Sequence, residues 1–245
     1  MNTQISRPIS RRGAIAGVGG LLAAGAVAQI ATSSSAGAAG PPRPLGIGSS
    51  GHQVEQFQLA MNANGFWCGT VDGQFGELTQ QAVYAVQKTH GRPRTGKIDL
   101  ALWDSGLARV RARSRYTYTG TEIDKTRQLL LVVSGGYVQV ALNTSTGDGS
   151  TFRFNGGWAR AITPTGTFTI YRKSVQETSA NPWVTAELGT MYKPRYFDSR
   201  GFAVHGSTSI PPYPASHGCA RVSTRAQNYL LSKGFLNMGV KVRIY

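Results

Sequence analysis

The spacing of apolar residues changes near residue 119, and this change divides the chain into two parts with different secondary structure. Before it, Val54, Phe57 and Met61 recur at the spacing of one helix face. After it, apolar residues come in short alternating runs, and residues 128–142 predict a hairpin around a Gly-Gly turn. A length of 245 residues suits one large domain or two modest ones. The sequence therefore predicts a small helical module followed by a mostly-β domain.

Three short helices are predicted in the module, which we assign to residues 50–108. The first helix stops at Gly65, the second begins with Thr79 as its cap, and the third begins with Asp99 as its cap. A core made by three such helices is marginal but feasible at this size.

The β domain is assigned to residues 119–245. Its further predicted elements are a strand within 162–171, a short strand at 202–204 that ends at His205, a helix at 224–231 and a last strand at 240–245. Residues 172–200 contain several aromatic side chains but few apolar runs. We interpret them as a long loop, of the kind that often forms a lid, over the segment at residues 203–223 that follows it.

The first 38 residues predict a signal for export rather than a folded element. Arg11 and Arg12 precede an apolar run from Ala14 to Ile30, and residues 36–38 supply the small side chains of a signal-peptidase site. The arginine pair favours a twin-arginine signal, with a general secretory signal as the alternative. The mature protein is therefore expected outside the cytoplasmic membrane, wall-associated or secreted, with no stable membrane span after cleavage. An uncleaved membrane anchor is the alternative.

Two connecting segments are predicted. Residues 39–49 are rich in Pro and Gly and are interpreted as a linker. Residues 109–118 contain four arginines and are interpreted as a solvated linker, with a grip on an anionic polymer as the alternative.

The chain is strongly basic, with a formal net charge of +15 from 26 Lys and Arg against 11 Asp and Glu. This balance favours anionic partners, which include nucleic acid, anionic lipid and the anionic polymers of a bacterial wall. The basic residues are dispersed along the chain rather than clustered in one tract. Together with the export signal, this dispersion argues against a nucleic-acid partner.

Residues 203–223 concentrate the reactive side chains His205, His217 and Cys219. A thiol beside an imidazole can act as a nucleophile, because the imidazole favours the thiolate. Spacing leaves open which histidine serves Cys219, since His217 is two residues away and His205 approaches only if the Pro-rich loop between them folds back. A zinc site and a purely structural buried cysteine are the rival interpretations. No second pair of metal ligands accompanies the cluster, which disfavours zinc.

Two cysteines are too few for a disulfide framework, so we expect Cys68 and Cys219 to be free thiols. Cys68 is interpreted as a small, partly buried structural residue, with redox control as the alternative. His52 and His90 lie in the predicted module and are assigned no chemistry.

The reactive segment resembles the active-site signature of the L,D-transpeptidase, or YkuD-type, catalytic domain. That signature is a His-Gly pair, a spacer, and Ser-His-Gly-Cys followed by one residue and then Arg or Asn. The matching positions are His205, Gly206, Ser216, His217, Gly218, Cys219 and Arg221. The resemblance extends over residues 120–245 and includes a Thr-Pro-x-Gly-x-Phe stretch at 163–168. It implies that the β domain is a β-sandwich.

The resemblance also implies a role for each matching residue. Cys219 is the nucleophile and His205 its base, with the imidazole oriented by the carbonyl group of Gly206. His217 and Gly218 lie near the oxyanion site, where the backbone N–H groups of Gly218 and Cys219 would stabilise the developing charge.

Three further residues are assigned to substrate binding. Arg221 would organise the pocket or bind a carboxylate, since a guanidinium matches that group. Ser216 would contribute mainly as a structural support of the pocket. Tyr192 is taken from the aromatic residues of the predicted lid.

The helical module resembles the type 1 peptidoglycan-binding domain. The matching positions are Val54, Phe57, Gln58, Asp72, Gly73, Phe75, Gly76, Thr79, Ala82, Val83, Gln87, Gly96 and Trp103. Most of them are core and turn positions, so they argue for the fold and do not identify contacts with glycan or peptide.

Together these resemblances imply a wall-building enzyme that needs no cofactor and is acylated by carbapenems. It would attack the third residue of a peptidoglycan stem tetrapeptide, release D-Ala, and pass the thioester to an amine of a neighbouring stem in a 3→3 cross-link. With water as acceptor it would be an L,D-carboxypeptidase. The remaining alternatives are a Cys-His wall endopeptidase and a wall-binding scaffold with a silent catalytic fold, which the intact motif disfavours.

Overall fold

The structure, a computed structural model, describes residues 40–245 with the exception of Pro42. The predicted signal peptide at residues 1–38 therefore lies outside the described residues. In the part of the chain that is described, no helix has the length and apolar character needed to cross a membrane.

The module consists of short helices joined by tight turns. Its elements are α1 (His52–Ala63), α2 (Glu77–Thr89), α3 (Leu100–Asp104) and a 3-10 turn (Leu107–Arg109). α1 buries the predicted apolar stripe and ends just before Asn64 and Gly65. α3 begins at its predicted cap, because the carboxylate of Asp99 accepts a hydrogen bond of 2.7 Å from the Leu102 N–H.

The predicted cap of the second helix is wrong. α2 begins at Glu77, with Gly76 as the residue before its first turn. Thr79 is buried instead, and its hydroxyl group accepts a hydrogen bond from Gln58 Nε2 (3.0 Å) and donates one to the carbonyl oxygen of Gln74 (3.2 Å). This hydroxyl joins the turn before α2 to α1, a tertiary role that a local capping pattern does not reveal.

The second domain is built from short strands and one helix, α4 (Thr224–Ser232). Its strands are β1 (Gly120–Asp124), β2 (Leu129–Ser134), β3 (Tyr137–Asn143), β4 (Thr151–Phe154), β5 (Gly157–Arg160), β6 (Gly166–Thr169), β7 (Arg172–Lys173), β8 (Trp183–Ala186), β9 (Gly189–Tyr196), β10 (Ala203–Ser207), β11 (Ala220–Ser223) and β12 (Lys241–Ile244). The observed architecture is thus the predicted one in outline, a helical module followed by a mostly-β domain.

Two sheets and a separate hairpin organise these strands. One sheet has the order β3-β2-β1-β12-β6, and the other has the order β11-β10-β9-β7 with β8 beside β9. β4 pairs only with β5 among the described strands. The predicted hairpin at 128–142, the helix at 224–231 and the last strand all correspond to observed elements. Layering of the two sheets as a β-sandwich stays a prediction.

The predicted long loop at residues 172–200 is wrong, because it contains β7, β8 and β9. β8 and β9 form an antiparallel pair in which Val184 lies opposite Met191 and Thr185 lies opposite Thr190. Val184 and Met191 are buried, whereas the two threonines are exposed. Because the paired residues of β8 and β9 bury only Val184 and Met191, their sequence contains no apolar run. Such a sequence resembles that of a loop.

β2 joins the two domains through side chains on both of its faces. Leu129, Leu131 and Val133 are buried in one core with residues of the helical module. Leu130 and Val132 are buried in a second core, together with residues of α4 and the other sheet. This division follows from the alternation of side chains along a strand. The helical module and the β domain accordingly belong to one compact unit.

Parts of both predicted linkers are packed against the domains. Leu45 exchanges backbone hydrogen bonds of 2.8 and 2.9 Å with Ile98. Arg111 donates hydrogen bonds to the carbonyl oxygen of Ala63 in the module (2.9 Å) and to that of Val138 in β3 (3.1 Å). The second segment, predicted as solvated, therefore connects the domains through specific contacts.

Leu131→Ala is expected to lower the free energy of unfolding by about 2–5 kcal/mol, because it leaves a cavity in the core that the domains share. In urea, the helix signal and the tryptophan fluorescence should shift together in one transition. Tyr137→Ala, at an exposed site of the same hairpin, is the control and should change stability by less than about 0.5 kcal/mol. Two transitions, one of them unmoved by Leu131→Ala, would contradict a shared core.

Candidate active site

Parallel pairing of β10 with β11 brings the predicted reactive residues together. Val204 lies opposite Ala220, and His205 lies opposite Arg221. Cys219 immediately precedes β11, so side-chain alternation puts Cys219, His205 and Arg221 on the same face. All three line one cavity of about 530 Å³. The Pro-rich loop between the strands therefore folds back, which was the condition for the approach of His205.

His205 is held in one tautomer by the backbone. Its side chain is buried, and its Nδ1 lies 2.9 Å from the carbonyl oxygen of Gly206. A carbonyl oxygen only accepts, so Nδ1 carries the hydrogen and Nε2 keeps a lone pair. Burial lowers the pKa of His205 to about 4; the Gly206 hydrogen bond opposes this shift and the charge of Arg221 adds to it. The imidazole is therefore neutral at neutral pH.

Cys219 is a partly exposed free thiol. Burial raises its pKa, while a hydrogen bond with the Ala203 backbone and the charge of Arg221 lower it, and the net shift is upward. A protonated thiol thus faces the same cavity as the neutral imidazole of His205. This arrangement suits transfer of the thiol proton to the imidazole while the sulfur acts as a nucleophile, rather than a thiolate–imidazolium pair that exists beforehand.

Gly218 and Ser216 shape the loop just before Cys219. Gly218 has a φ of 132°, and a Cβ atom there would lie 2.3 Å from the ring of Phe202. Ser216 Oγ donates a hydrogen bond to the carbonyl oxygen of Cys219 (2.6 Å) and accepts one from the Gly218 N–H (3.0 Å). Because the Gly218 N–H makes this bond, it cannot act as the predicted oxyanion donor in this conformation.

Thr163 holds the other side of this loop, a role that the sequence analysis did not assign. Its hydroxyl group donates a hydrogen bond to the carbonyl oxygen of Gly218 (2.7 Å) and accepts one from the Gly147 N–H (2.9 Å). Thr163 lies in the Thr-Pro-x-Gly-x-Phe stretch. Its partner Gly218 is 55 positions away, so only the folded chain reveals the contact.

A hairpin that the sequence analysis missed forms one wall of the cavity. β4 and β5 are joined by Asn155 and Gly156, which have φ values of 49° and 77°. Phe152 and Phe154 of β4 line the cavity, and the ring centroids of Phe152 and the exposed His217 are 4.6 Å apart. Asn-Gly between two short strands is the strongest local signal of a hairpin, and it could have identified this one.

Tyr192 is not brought together with the other predicted site residues. β9 pairs Tyr192 with Gly206, and the Tyr192 ring lies 2.9 Å from where a Cβ atom on Gly206 would be. This is the face of β10 opposite to His205. The Tyr192 hydroxyl group shares hydrogen bonds with the Asn228 side chain of α4, at 3.0 and 3.2 Å. Tyr192 therefore packs behind the sheet rather than in the cavity.

Positive charge surrounds the reactive pair. The arginines that line the cavity are Arg160, Arg172, Arg200 and Arg221. Arg200 is paired with Asp198 at 2.7 Å, and the guanidinium group of Arg172 lies 3.8 Å from the ring centroid of Tyr196. Glu187 also lines the cavity, but the four arginines outnumber this carboxylate, so the net charge of the lining residues is positive. Such a cavity favours an anionic ligand.

The second cysteine, Cys68, is not among the residues that line this cavity. Cys68 is free, as predicted, and buried in the module, where burial raises the pKa of its thiol to about 12. Its Sγ lies 3.7 Å from the carbonyl oxygen of Gln58. Within residues 40–245, Pro42 excepted, no three His, Cys, Asp or Glu side chains are grouped so as to hold a metal ion.

The buried imidazole makes stability depend on pH. Because the pKa of His205 falls from 6.5 to about 4 on folding, the unfolded chain binds more protons between these values. The contribution of His205 is therefore fully present above pH 6.5 and is lost as the pH falls toward 4, by on the order of 3 kcal/mol. Urea unfolding from pH 4 to 7 should show a steeper loss in the wild type than in His205→Gln. Equal slopes would contradict a neutral, buried His205.

Comparison with known proteins extends these observations. The family model described as a peptidoglycan binding domain matches residues 50–105, and the L,D-transpeptidase catalytic domain model matches residues 120–244. No curated protein matches the chain.

Two solved structures are among those that match the chain. An L,D-transpeptidase from Xylanimonas cellulosilytica DSM 15894 is 37% identical, with a TM-score of 0.76 over 84% of this chain and 98% of that chain. An L,D-transpeptidase from Stackebrandtia nassauensis is 18% identical, with a TM-score of 0.43 over 82% of this chain and 94% of that one. The residues that line the cavity fall within the range matched by the catalytic domain model. The chain therefore belongs to the L,D-transpeptidase catalytic domain family, with a peptidoglycan-binding domain ahead of the catalytic domain.

Proposed function

We propose that the protein is a cysteine-dependent L,D-transpeptidase that acts on peptidoglycan stem peptides and forms 3→3 cross-links. The observation that carries this proposal is a free Cys219 and a His205 of fixed tautomer in one arginine-lined cavity. The family match supports the reaction class, and the helical module supports peptidoglycan as the substrate.

In the first half-reaction, the sulfur of Cys219 attacks the carbonyl carbon of the third residue of the stem tetrapeptide. The thiol proton passes to Nε2 of His205, which is neutral beforehand and becomes an imidazolium. The tetrahedral intermediate collapses as the C–N bond to the terminal D-Ala breaks, and the imidazolium protonates the departing amine. The products are a thioester on Cys219 and free D-Ala.

In the second half-reaction, an amine of a neighbouring stem attacks the thioester carbon. His205 accepts the proton of that amine, the C–S bond breaks, and the sulfur of Cys219 recovers a proton. Water in place of the amine gives a tripeptide, which is an L,D-carboxypeptidase activity. The β4–β5 and β8–β9 hairpins both contribute lining residues, and we propose that they exclude water from the thioester.

Charge on the tetrahedral intermediate requires a donor close to Cys219. We assign this role to the Cys219 N–H, because the Gly218 N–H is bonded to Ser216. His217 lines the same cavity and is exposed, so its ring can contribute a second donor. Gly206 acts through its carbonyl oxygen, which orients His205.

Substrate binding in this proposal relies on arginine. Arg160, Arg172 and Arg221 line the cavity and suit the carboxylates of a stem peptide. Ser216 supports the loop through hydrogen bonds to Gly218 and Cys219, and Tyr192 supports the sheet from behind.

We further propose that the protein is exported and acts at the cell wall in wall biogenesis and remodelling. The basic chain and the peptidoglycan-binding domain would both hold the enzyme on an anionic polymer and raise the local concentration of stems. The proposed steps use the chain's own side chains and need no cofactor.

Intact-protein mass after mixing with a carbapenem tests the nucleophile. Wild type and Cys68→Ala are expected to gain one adduct, and Cys219→Ala none, because of the two thiols only that of Cys219 lines the cavity together with His205. An adduct that persists in Cys219→Ala would contradict the assignment. No adduct on freshly reduced wild type would favour the wall-binding scaffold.

Product analysis tests the acceptor. Purified stem tetrapeptide is expected to yield a dimer that has lost one D-Ala, and His205→Gln should slow its formation roughly 10²–10⁴-fold through loss of the base. Mass spectrometry separates this dimer from a tripeptide. Tripeptide as the sole product would make the protein an L,D-carboxypeptidase.

A further inference from the structure

The crossover loop, residues 208–219, joins β10 to β11 and carries Cys219 at its end. Pro211, Pro212 and Pro214 interrupt this loop, and proline has no N–H group to donate. The loop therefore cannot satisfy its carbonyl oxygens with a regular backbone ladder of its own. Carbonyl oxygens of the loop that are shielded from water, such as that of the buried Ile210, require donors from other elements.

Two of these donors come from the peptidoglycan-binding domain. Gln81 of α2 donates a hydrogen bond from Nε2 to the carbonyl oxygen of Ile210 (3.3 Å). Gln81 also accepts a hydrogen bond from Asn143, whose Nδ2 reaches the same Ile210 oxygen (3.0 Å). Arg94, which follows α2, donates to the carbonyl oxygen of Pro212 (2.7 Å). The crossover loop is thus held at two points by side chains of the other domain.

Lys88 connects α2, through Thr144, to β11, the strand that follows Cys219. Lys88 is 2% exposed, and its Nζ bonds the Asn143 side chain and donates to the carbonyl oxygens of Gln128 (2.8 Å) and Thr144 (3.2 Å). Thr144 in turn donates its hydroxyl hydrogen to the carbonyl oxygen of Arg221 in β11 (2.7 Å). Contacts from one helix therefore reach the chain on both sides of the reactive cysteine.

We propose that α2 and the residues after it form part of the active-site framework, with Arg94 and Gln81 as positioning residues that fix Cys219 relative to His205. This role goes beyond wall binding and rests on the proposed function of Cys219 as nucleophile. Arg94 offers the sharpest test, because its bond to Pro212 is short and involves a charged donor. Its side chain is exposed, so truncation leaves no buried cavity.

The test measures the reactivity of Cys219 in the mature full chain. Alkylation by iodoacetamide is followed by peptide mass mapping from pH 5 to 9, and carbapenem acylation is followed in parallel. Arg94→Ala is expected to slow both reactions about tenfold, the effect of losing one charged hydrogen bond, and to shift the pH profile of alkylation. Binding to isolated peptidoglycan should stay at the wild-type level. Arg94→Lys retains a donor and should recover part of the rate.

Arg92→Ala is the matched control, since it removes the same charge two positions away at an exposed site. It should react at the wild-type rate, and an equal slowing in Arg92→Ala would overturn the proposal. Gln81→Ala tests the same loop independently and covers the case in which Arg94→Ala loses stability. Wild-type rates and pH profiles in both Arg94→Ala and Gln81→Ala would also overturn it.

The two reagents separate this proposal from the proposed function. If Cys219 in the wild type resists the carbapenem while its alkylation still responds to Arg94→Ala, the transpeptidase assignment fails and the positioning role stands. If acylation is normal and neither variant changes it, the positioning role fails and the transpeptidase assignment stands.

Discussion

The parallel register of β10 and β11 is the constraint on which the rest of the structure depends. Parallel strands cannot be joined by a tight turn, so the chain between His205 and Cys219 has to leave the sheet and return. Its return path is irregular and contains prolines, and it is stabilised from outside by Thr163 on one side and by the helical module on the other. The reactive pair is therefore a product of long-range contacts.

Burial then sets the chemistry of that pair. Desolvation favours the neutral forms of His205 and Cys219, while Arg221 lowers the pKa of both. In the proposed reaction, charge consequently develops only when Cys219 attacks a carbonyl group, inside a cavity whose walls carry further arginines. Electrostatic stabilisation of such a developing charge is stronger in a partly dry cavity than in open water.

Local patterns were sufficient for the helices of the module, the first hairpin, α4 and the cluster that contains His205 and Cys219. They were insufficient where partners are distant in sequence or where a strand buries little. Thr79 carries a capping side chain, yet its hydroxyl group bonds Gln58 in another helix. β8 and the part of β9 that pairs with it bury only Val184 and Met191 and lack apolar runs. Tyr192 shows the limit for the site, since sequence does not say on which side of a sheet a lone aromatic residue lies.

The division of β2 between two cores bears on whether the catalytic domain can exist without the helical module. Leu129, Leu131 and Val133 form an apolar surface that the helical module covers. A catalytic domain released by proteolysis, or joined to an unrelated wall-binding domain, would present that surface to water and tend to associate with other copies. The helical module thus also shields this face of the catalytic domain from water. A different domain could take the place of the helical module only if it offered a matching apolar face to β2.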